Sequence, residues 1–431
     1  MNRWFTRRRR AWADDASPAE DFFNEGQVVE RGGEFIDTGH RAVRHLAREL
    51  GLKLDDLLAA EPSGTEPFYY FNGQPYSYAQ ASADFAQIFD TLQKDLLAAN
   101  YPTRFDHFTT RGQQLDQLSI AQYIDEIVPG CRASPLGQLL DVAYKIEFGA
   151  ETSEQSALNL LYLLGYSSQQ PLGIYGESDE RFRIHGGNDQ LVSSMADALA
   201  GQIETGAELQ AVVKRSDGRH VLSFGTGAST SNVAVDHVVF ALPFSILRDS
   251  IDYSHAGFSP LKEIAIEQLG MGTNSKFQLQ FNRRLWNTLG NNGDTYSDTG
   301  YQNTWESTRA QGGRSGVLVN FSGGANGLTY NKPVPQLASR VLSQLEPALP
   351  GISAKYNGLA TVDYWPSYRW TRGSYAFWKV GQYTEFARIE GMREGNAHFC
   401  REHTSIDFQG YLNGAVDTGE RVAKEIIRSR R

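Results

Sequence analysis

The chain has 431 residues, 40% of them apolar and 21% charged, with a formal net charge of -9 and a pI near 5.6. That is enough apolar material for a full-sized core or two, while the acidic balance excludes nucleic acid as the main partner, because phosphate binding needs a basic face. Two cysteines, Cys131 and Cys400, are too few for a disulfide framework or a thiolate metal site, and no apolar run reaches the roughly 20 residues of a membrane helix.

Residues 1–20 contain the basic run Arg7–Arg10 and read as an unstructured, solvated leader. They lack the apolar core of about 7–15 residues that a secretory signal requires, so the expectation is a cytoplasmic protein with no membrane span. Next comes the turn RGGEFIDTGH, Arg31–His40. It leads into RAVRHLARELGL, which sets Val43, Leu46, Ala47 and Leu50 on one helical face and stops at Gly51. Residues about 75 to 170 carry helical periodicity, as in FAQIFDTLQKDLL and SALNLLYLLG.

The pattern changes after Ile184: a second glycine pair (Gly186-Gly187), a helix over DQLVSSMADALA, and short strands around Ala207–Val213 and His220–Phe224. The apolar run in DHVVFALP, stopped by Pro243, reads as a buried strand. KFQLQF (Lys276–Phe281) alternates, and GVLVNF (Gly316–Phe321) is a further strand. The end, GYLNGAVDTGERVAKEII, reads as a helix with Gly410, Gly414 and Gly419 in or near its first half. Each helical glycine costs up to ~1 kcal/mol relative to alanine, so their repetition suggests close approach of something to the backbone.

The fold class expected is α/β, with a second, helical-plus-mixed-sheet (α+β) part inserted into it. Three glycine turns (Gly32-Gly33, Gly186-Gly187 and the start of the last helix after EHTS) sit at strand-to-helix junctions, where helix N-termini and free amides bind phosphate. Together they suggest an extended, anionic cofactor.

With these segments in this order, the chain resembles the flavin-dependent amine oxidase family, which includes monoamine oxidases, polyamine oxidases and L-amino acid oxidases. The matching stretches are VERGGEFIDTGH (29–40), RFRIHGGNDQLVSSMADAL (181–199), DHVVFALPFSILR (236–248), LGMGTNSKFQLQFNRRLW (269–286), YWPSYRWTRGSY (364–375) and FCREHTSIDFQGYLNGAVDTGERVAKEI (399–426).

The resemblance implies an FAD-binding, Rossmann-like domain from residues 21–50, 181–250 and 385–431, interleaved with a substrate-binding domain from 51–180 and 251–384. It implies that Lys276, ten residues before Trp286, serves a water at flavin N5, and that Tyr375 and Tyr411 form an aromatic cage for the amine. Gly32, Gly33, Glu34, Gly187, Leu209, Trp365, Glu402, His403 and Thr404 fall in the implied cofactor-binding set. Arg401 stands where the family usually has glycine. Ser374 stands where covalently flavinylated members carry cysteine, so the FAD is expected to be non-covalent.

The partners implied are a small-molecule amine and O2, with the oligomeric state left open. Glu34 and Asp37 are acids where amino acid oxidases commonly place an arginine, which disfavours a carboxylate substrate, although Arg369 and Arg372 remain candidate anchors. His398 and His403, five apart with no carboxylate pattern, are read as structural or cofactor-shell residues, with no metal expected. The family's G-x-G-x-x-G unit is not found before Arg31, and its loss is expected to cost several kcal/mol of FAD affinity and to expose strand edges. Three functions follow: FAD-dependent oxidative deamination of an amine, an L-amino acid oxidase, or a catalytically impaired, non-enzymatic homologue.

Overall fold

A computed structural model describes residues 22–226 and 229–429, so the expected leader over 1–20 lies outside the described residues. Its organising element is a seven-stranded sheet. Across it the strands run Tyr356–Tyr364, Ser275–Phe281, Gly316–Ser322, Gln302–Glu306, Asn291–Ser297, Glu66–Phe71 and Gln74–Ser77, antiparallel except where Asn291–Ser297 pairs parallel with Glu66–Phe71.

The helices expected between 75 and 170 form one layer on this sheet, with Pro135–Phe148 lying against four of its strands. Their starts are encoded locally. Ser77 and Ser119 each accept the N–H of a glutamine three residues on, whose side chain returns to the cap backbone, and Ser134 caps a helix whose first residue is Pro135. The helix Ala157–Leu164 is apolar on nearly every side and almost wholly buried, which is why it carries no polar face.

Lys276–Phe281 alternates as the sequence suggests, but neither face meets solvent. Phe277, Leu279 and Phe281 join one core with Leu337 and Val341. On the other face, segment Asn24–Glu34 covers the polar residues. Gln280 Nε2 donates to Asn24 O (3.0 Å) and Gln27 Oε1 (2.9 Å), and Gln278 bonds Asp363 and Thr361. Alternation here separates an apolar core from a buried hydrogen-bonded layer.

A four-stranded sheet (Ser229–Val235, His220–Thr226, Glu208–Lys214, Asp252–His255) lies against the core built around Val238–Phe240 and Ala397–Phe399, which pair parallel although far apart in sequence. The reading of DHVVFALP as a fully buried strand is corrected: Val238 and Phe240 are buried, whereas Val239 is 43% exposed although its cross-strand partner His398 is fully buried, so the second face of the pair is covered over Ala397–Phe399 and left open at Val239. The helix Arg41–Glu49 begins after His40, buries Val43 and Ala47, and packs on the last helix, Leu412–Ser429. Strand Leu54–Asp56 pairs with Phe182–Ile184. The first glycine turn, the second glycine turn and the last helix are thereby brought together. No helix among the described residues is long and apolar enough to cross a membrane.

Candidate active site

Lys276 projects from the covered face of its strand toward the first glycine turn and is 5% exposed. Its Nζ donates to Glu30 O (3.1 Å), Gly32 O (2.8 Å) and Glu34 Oε2 (2.9 Å), so its three protons meet three protein acceptors. Glu34 also accepts Trp305 Nε1 (3.0 Å) and Ser307 Oγ (2.6 Å). Burial acts to raise the Glu34 carboxyl, but Lys276 and Arg183 outweigh it and hold it below the ordinary carboxylate range. Glu34 is therefore neutralised and does not supply the free negative charge read from the sequence.

The same turn is held from three other directions. Asn188 Nδ2 donates to Gly33 O (3.0 Å) and Glu34 O (2.8 Å), and Asn188 N donates to Glu30 Oε1 (2.8 Å), which joins the two glycine turns. Gly187 precedes that asparagine at φ +121°, a conformation that L side chains rarely adopt. Trp365 Nε1 donates to Arg31 O (3.2 Å). A Cβ on Gly33 would stand 3.1 Å from Leu412 Cδ2, at the start of the last helix. Lys276, Gly32, Gly33, Glu34, Gly187 and Trp365 thus converge. Leu209 does not join them; it packs with the core around Phe240 and Phe244.

The two tyrosines meet at a residue that sequence reasoning missed. Tyr375 donates to the carbonyl of Glu147 (2.6 Å), and Tyr411 donates to Glu147 Oε1 (3.3 Å). Glu147 closes the helix Pro135–Phe148 within an ordinary amphipathic pattern, so only the tertiary placement reveals it. Burial pushes its carboxyl up to about 7, against the Tyr411 hydrogen bond. Burial also pushes both tyrosine hydroxyls well above their usual range, so both rings stay neutral phenols.

His40 adds an aromatic edge, its ring centroid 5.1 Å from Tyr411. His40 Nδ1 accepts the Asp37 N–H (3.0 Å), which leaves the proton on Nε2, 3.3 Å from Asp37 Oδ2. Glu147 and Tyr411 line a cleft with Tyr101, Tyr162, Trp378 and Tyr383. Arg104 and Arg388 also line it, and both pair with Asp106. Arg369 and Arg372, the candidate carboxylate anchors, are instead exposed and paired with Glu208 and Asp249.

The segment before the last helix contains the strained residue. Arg401 adopts φ +123°, ψ 172°, in a region that is essentially glycine's, at the position where the resemblance expects glycine. Thr418 and Thr404 lock it: Arg401 N donates to Thr418 Oγ1 (3.0 Å), and the Arg401 carbonyl accepts both threonine hydroxyls (3.1 and 2.9 Å).

Glu402 Oε1 accepts Ala376 N (3.3 Å), and His403 Nδ1 lies 3.1 Å from Glu402 Oε2. Although burial works the other way, hydrogen bonding from His403 and the charge of Arg401 hold the Glu402 carboxyl down at about 2. A Cβ on Gly414 would fall 2.1 Å from Phe408 O, so this turn requires glycine, whereas Gly419 has nothing within 4 Å and marks no close approach. His398 is buried in a chain from His237 (3.2 Å) to Glu425 (3.1 Å).

Two buried polar atoms next to the last helix, His403 Nε2 and Gln409 Nε2, have no hydrogen-bond partner among the described residues. They precede the N-terminus of the last helix and its Gly414, and that helix meets the first glycine turn where Leu412 lies against Gly33. This donor and acceptor set fits the flavin side of an FAD molecule. Ser374, whose Oγ donates to Asn274 Oδ1 (2.6 Å), offers no thiol for a covalent link.

The chain is 21% identical over 405 residues to the "Probable flavin-containing monoamine oxidase A" of Dictyostelium discoideum, covering 92% of this chain and 86% of that protein. It is 23% identical over 430 residues to an L-amino acid dehydrogenase of Synechocystis, covering 94% and 86%. In fold it is similar to putrescine oxidase solved with putrescine (TM-score 0.79, 18% identity, 96% of this chain and 92% of that one) and to cyclohexylamine oxidase from Brevibacterium oxydans (0.77, 17%, 94% and 90%). The profile of the flavin containing amine oxidoreductases matches residues 10–427, and the chain belongs to that family.

Proposed function

We propose that this protein binds FAD non-covalently and oxidises a primary or secondary amine. The observation that carries the reading is the convergence of Tyr375 and Tyr411 on Glu147, beside a glycine turn clamped by Lys276. Segments 21–50, 181–250 and 385–431 would hold the cofactor, and 51–180 and 251–384 the substrate.

When bound, FAD supplies a hydride acceptor that O2 reoxidises with release of H2O2, and the imine product hydrolyses to an aldehyde and ammonia, or to an aldehyde and a primary amine where the substrate is secondary. The chain's own part is positional. Gly32, Gly33, Gly187, Trp365 and the Glu402–Thr404 turn would shape the cofactor seat. Tyr375 and Tyr411 would present neutral ring faces, whose negative quadrupole suits an amine or ammonium. Lys276 fixes the glycine turn. For it to serve a water, it must first release one of its three protein acceptors.

That full donor set favours a second reading, a homologue that keeps the fold without turnover. An L-amino acid oxidase has less support, because Arg369 and Arg372 are already paired with acids at the surface. Purification in the presence of FAD, followed by absorbance, acid precipitation and peroxide assays, separates the readings. The expected result is a flavin spectrum, flavin left in the supernatant after precipitation, and peroxide from amines but not from amino acids. A colourless chain that cannot be reconstituted sinks the proposal.

A further inference from the structure

We infer that Glu147 is the proton acceptor of the reaction: its carboxylate, held in the cleft at the Tyr411 hydroxyl, takes one N–H proton from the incoming ammonium ion. This rests on the amine-oxidising reading above and assigns a step within it.

Glu147 is fixed to both tyrosines. Its Oε1 accepts the Tyr411 hydroxyl (3.3 Å) and its backbone carbonyl accepts that of Tyr375 (2.6 Å). It lines the cleft together with Tyr411, Tyr162 and Trp378. Among the described residues the long Tyr411 bond is the only hydrogen bond of its side chain, which leaves the carboxylate free to accept another.

No protein cation claims it. Arg104 and Arg388 of the cleft are paired with Asp106, Lys145 of the same helix with Asp141 and Glu151, and neutral His40 lies at Asp37. The other two acids of the cleft are already engaged: Glu390 Oε1 accepts Arg388 N (3.1 Å) and Asp407 Oδ1 accepts the Tyr101 hydroxyl (3.0 Å). Asp37 and Glu180 interact with Glu147 by charge, which favours its protonated form, and the hydroxyls of Tyr144 and Tyr175, which feel its charge, are neutral phenols.

An alkylamine arrives at neutral pH as an ammonium ion, with no lone pair to offer the carbon that must give up hydride. When Glu147 takes the proton, an N–H bond breaks, its electron pair stays on nitrogen and an O–H bond forms, so ammonium and carboxylate become amine and carboxylic acid. Nothing is oxidised in this step. Hydride loss then leaves an iminium ion, and Glu147 returns its proton to water as the product departs. Burial favours the neutral pair over the charged one, and it pushes the Glu147 carboxyl up to about 7, nearer to an ammonium than an exposed glutamate would be.

The test is anaerobic stopped-flow bleaching of the flavin by n-butylamine across pH, with the full chain and FAD. In the wild type the second-order rate constant should be level from about pH 7.5 to pH 9.5. In Glu147→Gln it should be about 100-fold lower near neutrality and climb about tenfold per pH unit, because only amine already neutral in solution can then react. Glu147→Asp should bring back the level profile at a lower rate. A binding readout uses tert-butylamine, which has no hydrogen on the carbon beside nitrogen. Calorimetry in two buffers of different ionisation heat at about pH 8 should find about one proton released per molecule bound to the Gln variant and close to none for the wild type.

A level profile in Glu147→Gln, or equal proton release by the two proteins, overturns the assignment. Bleaching by butylamine without these differences leaves the oxidase reading standing while Glu147 fails. No bleaching in the wild type, with the difference in proton release intact, sinks the oxidase reading and keeps Glu147 as a proton acceptor.

Discussion

Lys276 and Glu34 form a buried ion pair, Nζ to Oε2 2.9 Å, that ties the strand Ser275–Phe281 of the large sheet to the first glycine turn. Removing one member leaves the other charge buried and alone, which costs about 3–5 kcal/mol. Lys276→Met should therefore lower unfolding stability by that order, and adding Glu34→Leu should restore at least half of the loss. Urea unfolding of the three proteins checks this. Equal stability of Lys276→Met and wild type would show that the pair does not hold the turn.

Glu30 lies next to that pair and carries the opposite signature. Burial pushes its carboxyl up from 4.5 to about 7, against the Asn188 N–H and Lys276. A carboxyl raised in the folded state binds more protons folded than unfolded, so its stabilising contribution is complete below the unfolded value and is lost as pH rises through about 7. Integrated over the shift, the loss is about 3 kcal/mol. Glu30→Gln should flatten the fall in stability between about pH 4.5 and pH 7 relative to wild type, as read from thermal unfolding across pH. An unchanged slope would place the titration elsewhere.

Much of this was legible in the sequence because it is local. The glycine turns, the Ser-capped helices at Ser77 and Ser119 and the apolar helix Ala157–Leu164 all declare themselves over a few residues. Lys276, Tyr375 and Tyr411 are named by family position alone. Glu147 and His40 are not, since each sits in an unremarkable local pattern and acquires meaning from residues far along the chain. The burial of Gln280 was hidden for the same reason: the segment that covers it, Asn24–Glu34, lies some 250 positions away. Val239 failed in the other sense, because an apolar run cannot say whether both of its faces will be covered.

Arg401 gives a prediction about backbone strain. Its φ of +123° costs a non-glycine residue on the order of 1–3 kcal/mol, and its threonine partners Thr404 and Thr418 hold it there through backbone atoms that glycine also has. Arg401→Gly should keep those bonds and relieve the strain, less the entropy that glycine adds to the unfolded chain, for a net gain of about 1 kcal/mol. Thermal unfolding measures it, and FAD titration by fluorescence quenching should show tighter binding in the variant. A loss of stability would mean that the guanidinium, not the backbone, is what this position needs.

Tyr411 separates ring from hydroxyl. The ring lies against His40, and the hydroxyl makes a long, 3.3 Å bond to Glu147 that contributes little. If the ring face is what meets the amine, Tyr411→Phe should keep kcat/KM within about threefold, while Tyr411→Ala should lower it by about 3- to 30-fold, the range of a cation–π contact of about 0.5–2 kcal/mol. Flavin absorbance measured in parallel distinguishes loss of substrate recognition from loss of cofactor. A Phe variant as poor as the Ala variant would move the function from the ring to the hydroxyl, and with it to the proton shared with Glu147.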